Sequence, residues 1–288
     1  MKYPIRIEDH QFFANELVRK TTAGFSQNAN VSVIGGLGKG KSTTGIRICL
    51  QCAELLAKRL GGYWKDYFNM EENCGVMNIE EIIAVNKVMS ETKNKVFLLD
   101  DVSPTINARK FAEKSNQDQN TIMTISRPNE HIVVRTFPHQ FMVDKYVRHL
   151  SNYIVEMQKP YFNYGYTSAK IFAVEGQRDD SKPLEKYLQN RFGEKYMRAF
   201  FRKPPDEIMA RYKERRSIAQ KTLEQKAIAS LTKNEEQINA VQKMRKGDMY
   251  RQIYKEYMEG KYGEMTLKEI CRQKKVNYQS VQNAAHQE

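Results

Sequence analysis

The chain has 288 residues, enough for one large domain and a smaller one, and its 40% hydrophobic and 28% charged residues are typical of a globular protein. No apolar run approaches the roughly 18 to 20 residues of a membrane-spanning helix, and the first residues lack the apolar segment of a signal peptide. We therefore expect a cytoplasmic protein without a membrane segment. The net charge of +13 favours a polyanionic partner such as nucleic acid, although a ribosome, an anionic membrane surface or solubility alone would account for the same charge.

Four cysteines are present, and only Cys49 and Cys52 lie close together in the sequence. A Cys-x-x-Cys pair holds zinc only with a second pair of ligands, and no His/Cys pair at ligand spacing follows. We therefore expect buried thiols in a reducing compartment rather than a metal site.

A phosphate-binding motif stands near the N-terminus. An amphipathic helix is predicted over residues 9–26, a β-branched strand over residues 31–34 and a further helix over residues 42–60. Residues 35–43 read Gly-Gly-Leu-Gly-Lys-Gly-Lys-Ser-Thr, which matches the pattern G-x-x-x-x-G-K-[ST] between the strand and the helix that this pattern requires. The chain is therefore predicted to bind a nucleoside triphosphate, and the alternative is a glycine-rich turn without a ligand.

Each residue type in this loop has a physical task. Glycines permit positive φ angles and a close approach of backbone N–H groups to a phosphate, with the N-terminus of a helix behind them. Lys41 would reach the β- and γ-phosphates, and the hydroxyl of Ser42 would bind Mg²⁺. The predicted nucleotide-binding residues of the loop are Gly35, Gly36, Gly38, Lys39, Gly40, Lys41, Ser42 and Thr43.

A second motif follows a predicted helix over residues 79–89. Residues 96–101 read Val-Phe-Leu-Leu-Asp-Asp, an apolar run that ends in two carboxylates, as in a Walker B motif. Such a run suits a parallel strand buried on both faces, and open α/β sheets bind ligands at the C-terminal ends of their strands. Asp100 is predicted to hold Mg²⁺ through its water shell, and Asp101 to polarise the attacking water as a general base. The alternative is a buried strand that ends in a solvated turn.

Weaker signals lie around these motifs. A weak strand is predicted over residues 63–73, a strand over residues 121–126 and a short strand over residues 131–134. Two antiparallel strands are predicted over residues 152–158 and 168–174. Their connector contains the rings of Tyr161, Phe162, Tyr164 and Tyr166. These rings could stack on nucleic-acid bases, or they could pack on their own sheet.

From residue 178 onward the sequence is rich in Lys and Arg and is predicted to be mostly helical. A helix over residues 206–236 would serve as a spacer or an oligomerisation arm. Three shorter helices are predicted over residues 249–258, 266–273 and 277–286. The predicted domains are an NTPase core with an N-terminal helix and a β-hairpin over residues 1–177, a basic helical arm over residues 178–245 and a terminal three-helix module over residues 246–288.

The terminal module resembles a helix-turn-helix of the form T-L-x-E-I-[AC]-x-x-x-x-V-x-x-x-x-V. Thr266 is the expected N-cap of its second helix, and Lys275 occupies the turn where a glycine is common. The last helix would present polar side chains that can bond base edges or phosphates, namely Asn277, Tyr278, Gln279, Ser280, Gln282 and Asn283. A protein-binding three-helix bundle is the alternative.

Taken together, residues 35–43, 96–101 and 121–129 resemble a P-loop NTPase of the additional-strand class. The order of these motifs is similar to that in the HerA/FtsK translocases and in Zot-like and viral DNA-packaging ATPases. The resemblance implies ATP and Mg²⁺ as cofactors. The expected fold class is α/β, with a mostly parallel sheet flanked by helices and an all-helical C-terminal region after it.

The resemblance also implies roles for residues outside the two motifs. A polar residue on the strand after the Walker B motif would contact the γ-phosphate, which makes Ser126 or Thr124 the candidate, with Arg127 nearby. The resemblance implies a ring of identical subunits with an arginine supplied from a neighbour, and Arg148 or Arg127 is the candidate for it. An ordinary strand-terminal charge is the alternative for Arg127.

Three functions fit these features. The first is an ATPase that translocates, packages or partitions DNA, in a virus or mobile element. The second is a nucleotide-dependent DNA-binding regulator with slow hydrolysis, which the terminal module favours and which Asp101 favours because the family commonly carries Glu there. The third is a small-molecule or nucleotide kinase, against which we find no second arginine-rich lid after the core.

Overall fold

The structure, a computed structural model, describes residues 11–24, 27–77, 79–101, 129–139, 150–175, 184–188 and 198–285. The chain divides into two compact units, Met1–Lys221 and Thr222–Glu288. None of the described helices combines the length and the apolar composition that a membrane span requires.

The first unit is built around one mixed sheet. Its first four helices are α1 (Phe12–Thr22), α2 (Lys41–Leu60), α3 (Trp64–Tyr67) and α4 (Ile79–Glu91). Its strands are β1 (Ala29–Ile34), β2 (Cys74–Val76), β3 (Val96–Asp100), β4 (Ile132–Phe137), β5 (Tyr153–Tyr161), β6 (Tyr166–Glu175), β7 (Leu184–Tyr187) and β8 (Ala199–Arg202).

The strands lie in the order β2-β3-β4-β1-β5-β6-β7, and β8 also pairs with β6. Every pair from β2 to β5 is parallel, whereas β6 is antiparallel to β5, β7 and β8. The expected α/β fold with a mostly parallel sheet is therefore confirmed. The edge strands β7 and β8 were not predicted from the sequence, which favoured helix after residue 178.

Helices cover both faces of the sheet, and β3 shows why its sequence is apolar throughout. Successive side chains of a strand point to opposite faces. Val96 and Leu98 accordingly join the core that contains α1 and α2, while Phe97 and Leu99 join a second core with α4. All five residues of β3 are buried. The prediction of a strand buried on both faces is confirmed.

Two predicted elements differ from the structure. The weak strand predicted over residues 63–73 is wrong, because Trp64–Tyr67 forms helix α3. The carboxylate of Asp66 accepts a hydrogen bond from the N–H of Tyr63 at 2.7 Å, and this cap outweighs the strand propensity of the aromatic residues. The short strand predicted over residues 131–134 extends to Phe137. The strand predicted over residues 121–126 lies outside the described residues.

All four cysteines are buried free thiols, as expected. Burial raises the pKa values of Cys49, Cys52 and Cys74. These side chains therefore serve as small hydrophobic core residues.

The long helix α5 (Asp206–Met258) begins in the first unit and ends in the second. The separate helix predicted over residues 249–258 is the last part of α5. It is followed by α6 (Leu267–Gln273) and α7 (Tyr278–Ala285). A small core of the second unit joins these helices through Ile253, Leu267, Ile270, Cys271 and Val281. Thr266 is the N-cap of α6, as predicted, and it forms a capping box with Glu269.

The turn between α6 and α7 contains a non-glycine residue with a positive φ. Lys275 has φ +55°, while the N–H of Val276 donates to the carbonyl of Cys271 at 2.9 Å. Because the left-handed conformation costs an ordinary residue about 1 kcal/mol, we expect Lys275→Gly to stabilise α6 and α7 by about that amount. Amide hydrogen exchange in α6 and α7 measures this effect. Lys274→Gly is the control, since Lys274 has φ −80°, and faster exchange in Lys275→Gly would contradict the prediction.

Candidate nucleotide-binding site

The loop between β1 and α2 has a backbone that requires glycine. Gly38 and Gly40 have φ angles of +71° and +83°. A Cβ at Gly40 would lie 2.6 Å from Cγ2 of Thr167, so a larger residue would clash with β6. Gly40 is also the N-cap of α2, and no side chain caps this helix. The first N–H groups of α2, which have no acceptor within the helix, can therefore bind an anion.

Lys41 lies over this loop. Its Nζ donates to the carbonyl of Gly36 at 3.1 Å. Burial lowers the pKa of Lys41, while the negative charges of Asp101 and Asp100 oppose that shift. The ammonium group therefore lies at the loop, near enough to both carboxylates for their charges to act on it.

Asp100 ends β3 and is fully buried. Its Oδ2 accepts a hydrogen bond from Oγ of Ser42 at 3.0 Å, and its Oδ1 accepts one from Oγ1 of Thr136 at 2.7 Å. The hydroxyl of Tyr212 donates to Oδ2 as well. The structure therefore brings together the two predicted metal-binding residues, Ser42 and Asp100, and orients the carboxylate with hydroxyls from α2, β4 and α5.

Asp101 follows directly in a left-handed conformation, with φ +49°. Its N–H donates to Oγ1 of Thr136 at 2.8 Å, so a single hydroxyl orients both Asp100 and Asp101. A positive φ is rare outside glycine, and Asp is among the residues that tolerate it. The turn places the predicted base directly after the predicted metal-binding carboxylate.

Thr136 is a residue of the site that the sequence did not predict. It lies on β4, which is between β1 and β3 in the sheet. The apolar pattern of this strand is broken by Arg135, which is buried with its Nη1 3.1 Å from Oδ1 of Asn30. Burial lowers the pKa of Arg135 to about 10. Thr136 thus lies beside Asp100 on the strand between β1 and β3. The candidates for contact with the γ-phosphate, Thr124 and Ser126, and the candidate arginines, Arg127 and Arg148, lie outside the described residues.

Helix α5 supplies a second residue that was missed. Tyr212 is 2% exposed, and burial raises its pKa, as does the charge of Asp100. Arg215 fixes this part of α5 by pairing with Glu81 of α4 at 3.1 Å. Arg216 is close enough for its charge to lower the pKa values of Lys41 and Tyr212, although burial is the main influence on both. The helix predicted as a spacer therefore closes one side of the site.

The oxygen donors fit Mg²⁺. A hydroxyl and a carboxylate oxygen 3.0 Å apart are ligands of the type that Mg²⁺ prefers. Among the residues that the structure describes, no group of three or more His, Cys, Asp or Glu could hold a metal ion by itself. A Mg²⁺ ion that keeps several waters and arrives with phosphate oxygens needs only such a partial set of protein ligands.

The predicted DNA-binding residues all belong to the start and the body of α7. Asn277, Gln279 and Asn283 are exposed, and Ser280 and Gln282 are half-buried. Tyr278 is also half-buried and packs against the small core of the second unit. The Oδ1 of Asn277 accepts from the N–H of Ser280 at 3.2 Å. Two of the six side chains therefore have structural partners.

No protein-family model matches the sequence, and a comparison with curated proteins finds no match. Among solved structures, the genome packaging NTPase B204 from Sulfolobus turreted icosahedral virus 2 is similar, with 8% identity and a TM-score of 0.34 over 51% of this chain and 92% of that chain. The N-terminal domain of zonular occludens toxin from Neisseria meningitidis has 12% identity and a TM-score of 0.32 over 57% and 95%. The FIGL-1 AAA domain has 13% identity and a TM-score of 0.35 over 52% of each chain. The chain itself has an α/β fold with a mostly parallel sheet flanked by helices, and its glycine-rich loop lies between β1 and α2.

The effect of the hydrogen bond from Tyr212 to Asp100 can be measured with the variant Tyr212→Phe. The loss of one hydrogen bond to a carboxylate is expected to lower the free energy of unfolding by about 1 to 2 kcal/mol. The change also frees a lone pair of Oδ2 of Asp100, so the Mg²⁺ concentration for half-maximal nucleotide binding is expected to fall about threefold. Urea unfolding and Mg²⁺ titration measure the two effects.

Tyr153→Phe is a matched control for this variant. Tyr153 is also buried, and its hydroxyl donates to a carboxylate oxygen of Glu16 at 3.2 Å, away from the site. The Tyr153→Phe variant should show a similar decrease in the free energy of unfolding and the same Mg²⁺ dependence of nucleotide binding as the unsubstituted protein. An identical Mg²⁺ dependence in all three proteins would contradict the assigned effect of Tyr212.

Proposed function

We propose that this protein binds ATP with Mg²⁺ and hydrolyses it. The observation that carries the proposal is the hydrogen bond between Ser42 of the phosphate loop and the buried Asp100 at 3.0 Å. It joins the two motifs at the C-terminal edge of a parallel sheet, which is where α/β sheets bind ligands. The position of β4 between β1 and β3 supports a place in the additional-strand class.

Each side chain has a role in this reaction. The N–H groups of the loop and Lys41 bind the phosphates, and Ser42 and Asp100 hold Mg²⁺. When bound, Mg²⁺ neutralises charge on the phosphate oxygens. Asp101 orients and polarises the attacking water, and Thr136 holds the turn that carries it. Arg216 adds a positive charge from α5 in the neighbourhood of Lys41.

We further propose that the ATPase acts on DNA, by translocation, packaging or partition, and that a ring of identical subunits carries out this work. The net charge of +13 supports a polyanionic partner. Exposed Gln279 and Asn283 on α7 offer polar contacts to a duplex. The arginine supplied between subunits is assigned to Arg148 or Arg127.

The test is the steady-state rate of ATP hydrolysis with and without long duplex DNA at modest salt. A rate that rises strongly with DNA supports the motor. A low rate that DNA leaves unchanged supports the second candidate, a nucleotide-dependent DNA-binding regulator, in which the terminal helices with their own small core would be the DNA-binding module. Footprinting separates the two, since a discrete protected sequence is expected of a regulator and uniform coverage of a motor.

A further inference from the structure

A cleft opens beside the phosphate loop, on the side of β5 and β6. It has a volume of about 180 Å³, and it is lined by Thr43, Phe162, Tyr166, Thr167, Met209 and Lys213, among others. A second, larger cavity of about 470 Å³ shares Gly165, Tyr166 and Lys203 with it. We propose that the first cleft binds the base and ribose of the nucleotide, with Phe162 as the ring against which the base packs. This proposal rests on nucleotide binding at the phosphate loop.

The direction of the loop places the nucleoside at this cleft. In this motif the lysine, here Lys41, contacts the β- and γ-phosphates, while backbone N–H groups of the loop contact the α- and β-phosphates. The residue after the Lys41-Ser42 pair is Thr43, and Thr43 lines the cleft. A nucleoside attached to the α-phosphate of a nucleotide bound at this loop can therefore enter the cleft.

Strand β6 forms a close wall beside the loop. Oγ1 of Thr167 is hydrogen-bonded to Oγ1 of Thr44 in α2, at 2.6 Å. A Cβ at Gly40 would lie 2.6 Å from Cγ2 of Thr167 and 3.9 Å from Cε1 of Phe162. The ring of Phe162 thus lies next to the end of the phosphate loop, where the hydrogen bond between Thr44 and Thr167 joins α2 to β6.

The chemistry of the cleft suits a flat heteroaromatic ring. Phe162 is 63% exposed, a large apolar surface for a ring on a short connector, whereas its neighbour Tyr161 packs against Phe200 with ring centroids 6.1 Å apart. The thioether of Met209 on α5 lines the cleft too. Aromatic rings and thioethers both make favourable contacts with a π-system. The exposed ring of Phe162 is therefore available to stack on a base in the cleft.

Charge in the cleft fits the sugar and phosphate end of the same ligand. Lys213 is exposed on α5 and lines the cleft. Lys203 also lines it, and its ammonium pairs with Asp206 at the start of α5. Lysine donors beside Thr43 match the ribose hydroxyls and the α-phosphate of a bound nucleotide.

The experiment compares the affinity of the full chain for ATP and for inorganic tripolyphosphate, both with Mg²⁺, by calorimetry. Tripolyphosphate contacts the loop but has no base or ribose. Phe162→Ala is expected to weaken ATP binding by about tenfold or more and to leave tripolyphosphate binding unchanged. Phe162→Tyr, which keeps the ring, is expected to restore ATP affinity. Tyr63→Ala is the matched control, because Tyr63 is 57% exposed and does not line this cleft.

The outcomes separate this proposal from the proposed function. Failure of the unsubstituted protein to bind either ATP or tripolyphosphate would overturn nucleotide binding and the cleft assignment together. Normal ATP binding by Phe162→Ala, or an equal loss for ATP and tripolyphosphate, would overturn the assignment of the cleft alone. Phe162→Ala that binds ATP normally but loses affinity for single-stranded DNA would also overturn it and assign the ring to a nucleic-acid strand.

Discussion

Lys41→Ala is expected to slow ATP hydrolysis by about 100- to 1,000-fold, the range for removing one donor that stabilises charge in a transition state. The ammonium of Lys41 lies over the loop, 3.1 Å from the carbonyl of Gly36. It is the group that would stabilise the negative charge on the β- and γ-phosphates during hydrolysis. Its pKa is lowered by burial, and the charges of Asp101 and Asp100 oppose the shift. Steady-state release of phosphate at saturating Mg²⁺ and ATP measures the effect.

Lys39→Ala is the control within the same loop, because the group of Lys39 that would contact a phosphate is its backbone N–H and not its side chain. The side chain of Lys39 is exposed, and its backbone N–H, which the substitution retains, donates to the carbonyl of Gly36 at 3.4 Å. Both variants remove one positive charge from the loop, so a general electrostatic effect would slow both. We expect Lys39→Ala to stay within about threefold of the unsubstituted rate. An unchanged rate in Lys41→Ala would be incompatible with hydrolysis at this site.

The parts of the site that could be predicted are those encoded locally. The strand, loop and helix around residues 35–43 follow one another along the chain, and the motif has its own glycine and lysine spacing. The strand ending at Asp100 was recognisable because burial on both faces leaves a continuous apolar run. Neither signal depends on a distant part of the chain.

The parts that were missed depend on distant contacts. Tyr212 reaches Asp100 across 112 residues of sequence, and a lone tyrosine in a polar helix carries no signal for that contact. Thr136 follows Arg135, whose burial depends on Asn30 in another strand. The strand Leu184–Tyr187 is short and half charged, and it exists by pairing with β6. In each case tertiary pairing overrides the local propensity.

The contribution of Asp100 can be separated from that of Asp101 by two conservative variants. In Asp100→Asn, the amide keeps the size of the carboxylate, and one of the hydroxyls of Ser42, Thr136 or Tyr212 can rotate to accept from it. The fold is therefore expected to persist. The loss of the negative charge is expected to weaken the binding of Mg²⁺ by about 10- to 100-fold. It is also expected to lower the hydrolysis rate by about 100-fold or more.

Asp101→Asn is expected to act on the chemical step alone. Asn tolerates the left-handed backbone at this position, where φ is +49°, and the N–H that donates to Thr136 is retained. Binding of ATP with Mg²⁺ should thus remain near that of the unsubstituted protein, while hydrolysis falls by about 100-fold or more, because a general base is lost. Mg²⁺ titration of ATP binding and single-turnover hydrolysis distinguish the two variants. An equal loss of Mg²⁺ affinity in both variants would mean that the two carboxylates share the metal. Normal hydrolysis by Asp101→Asn would show that Asp101 is not the general base.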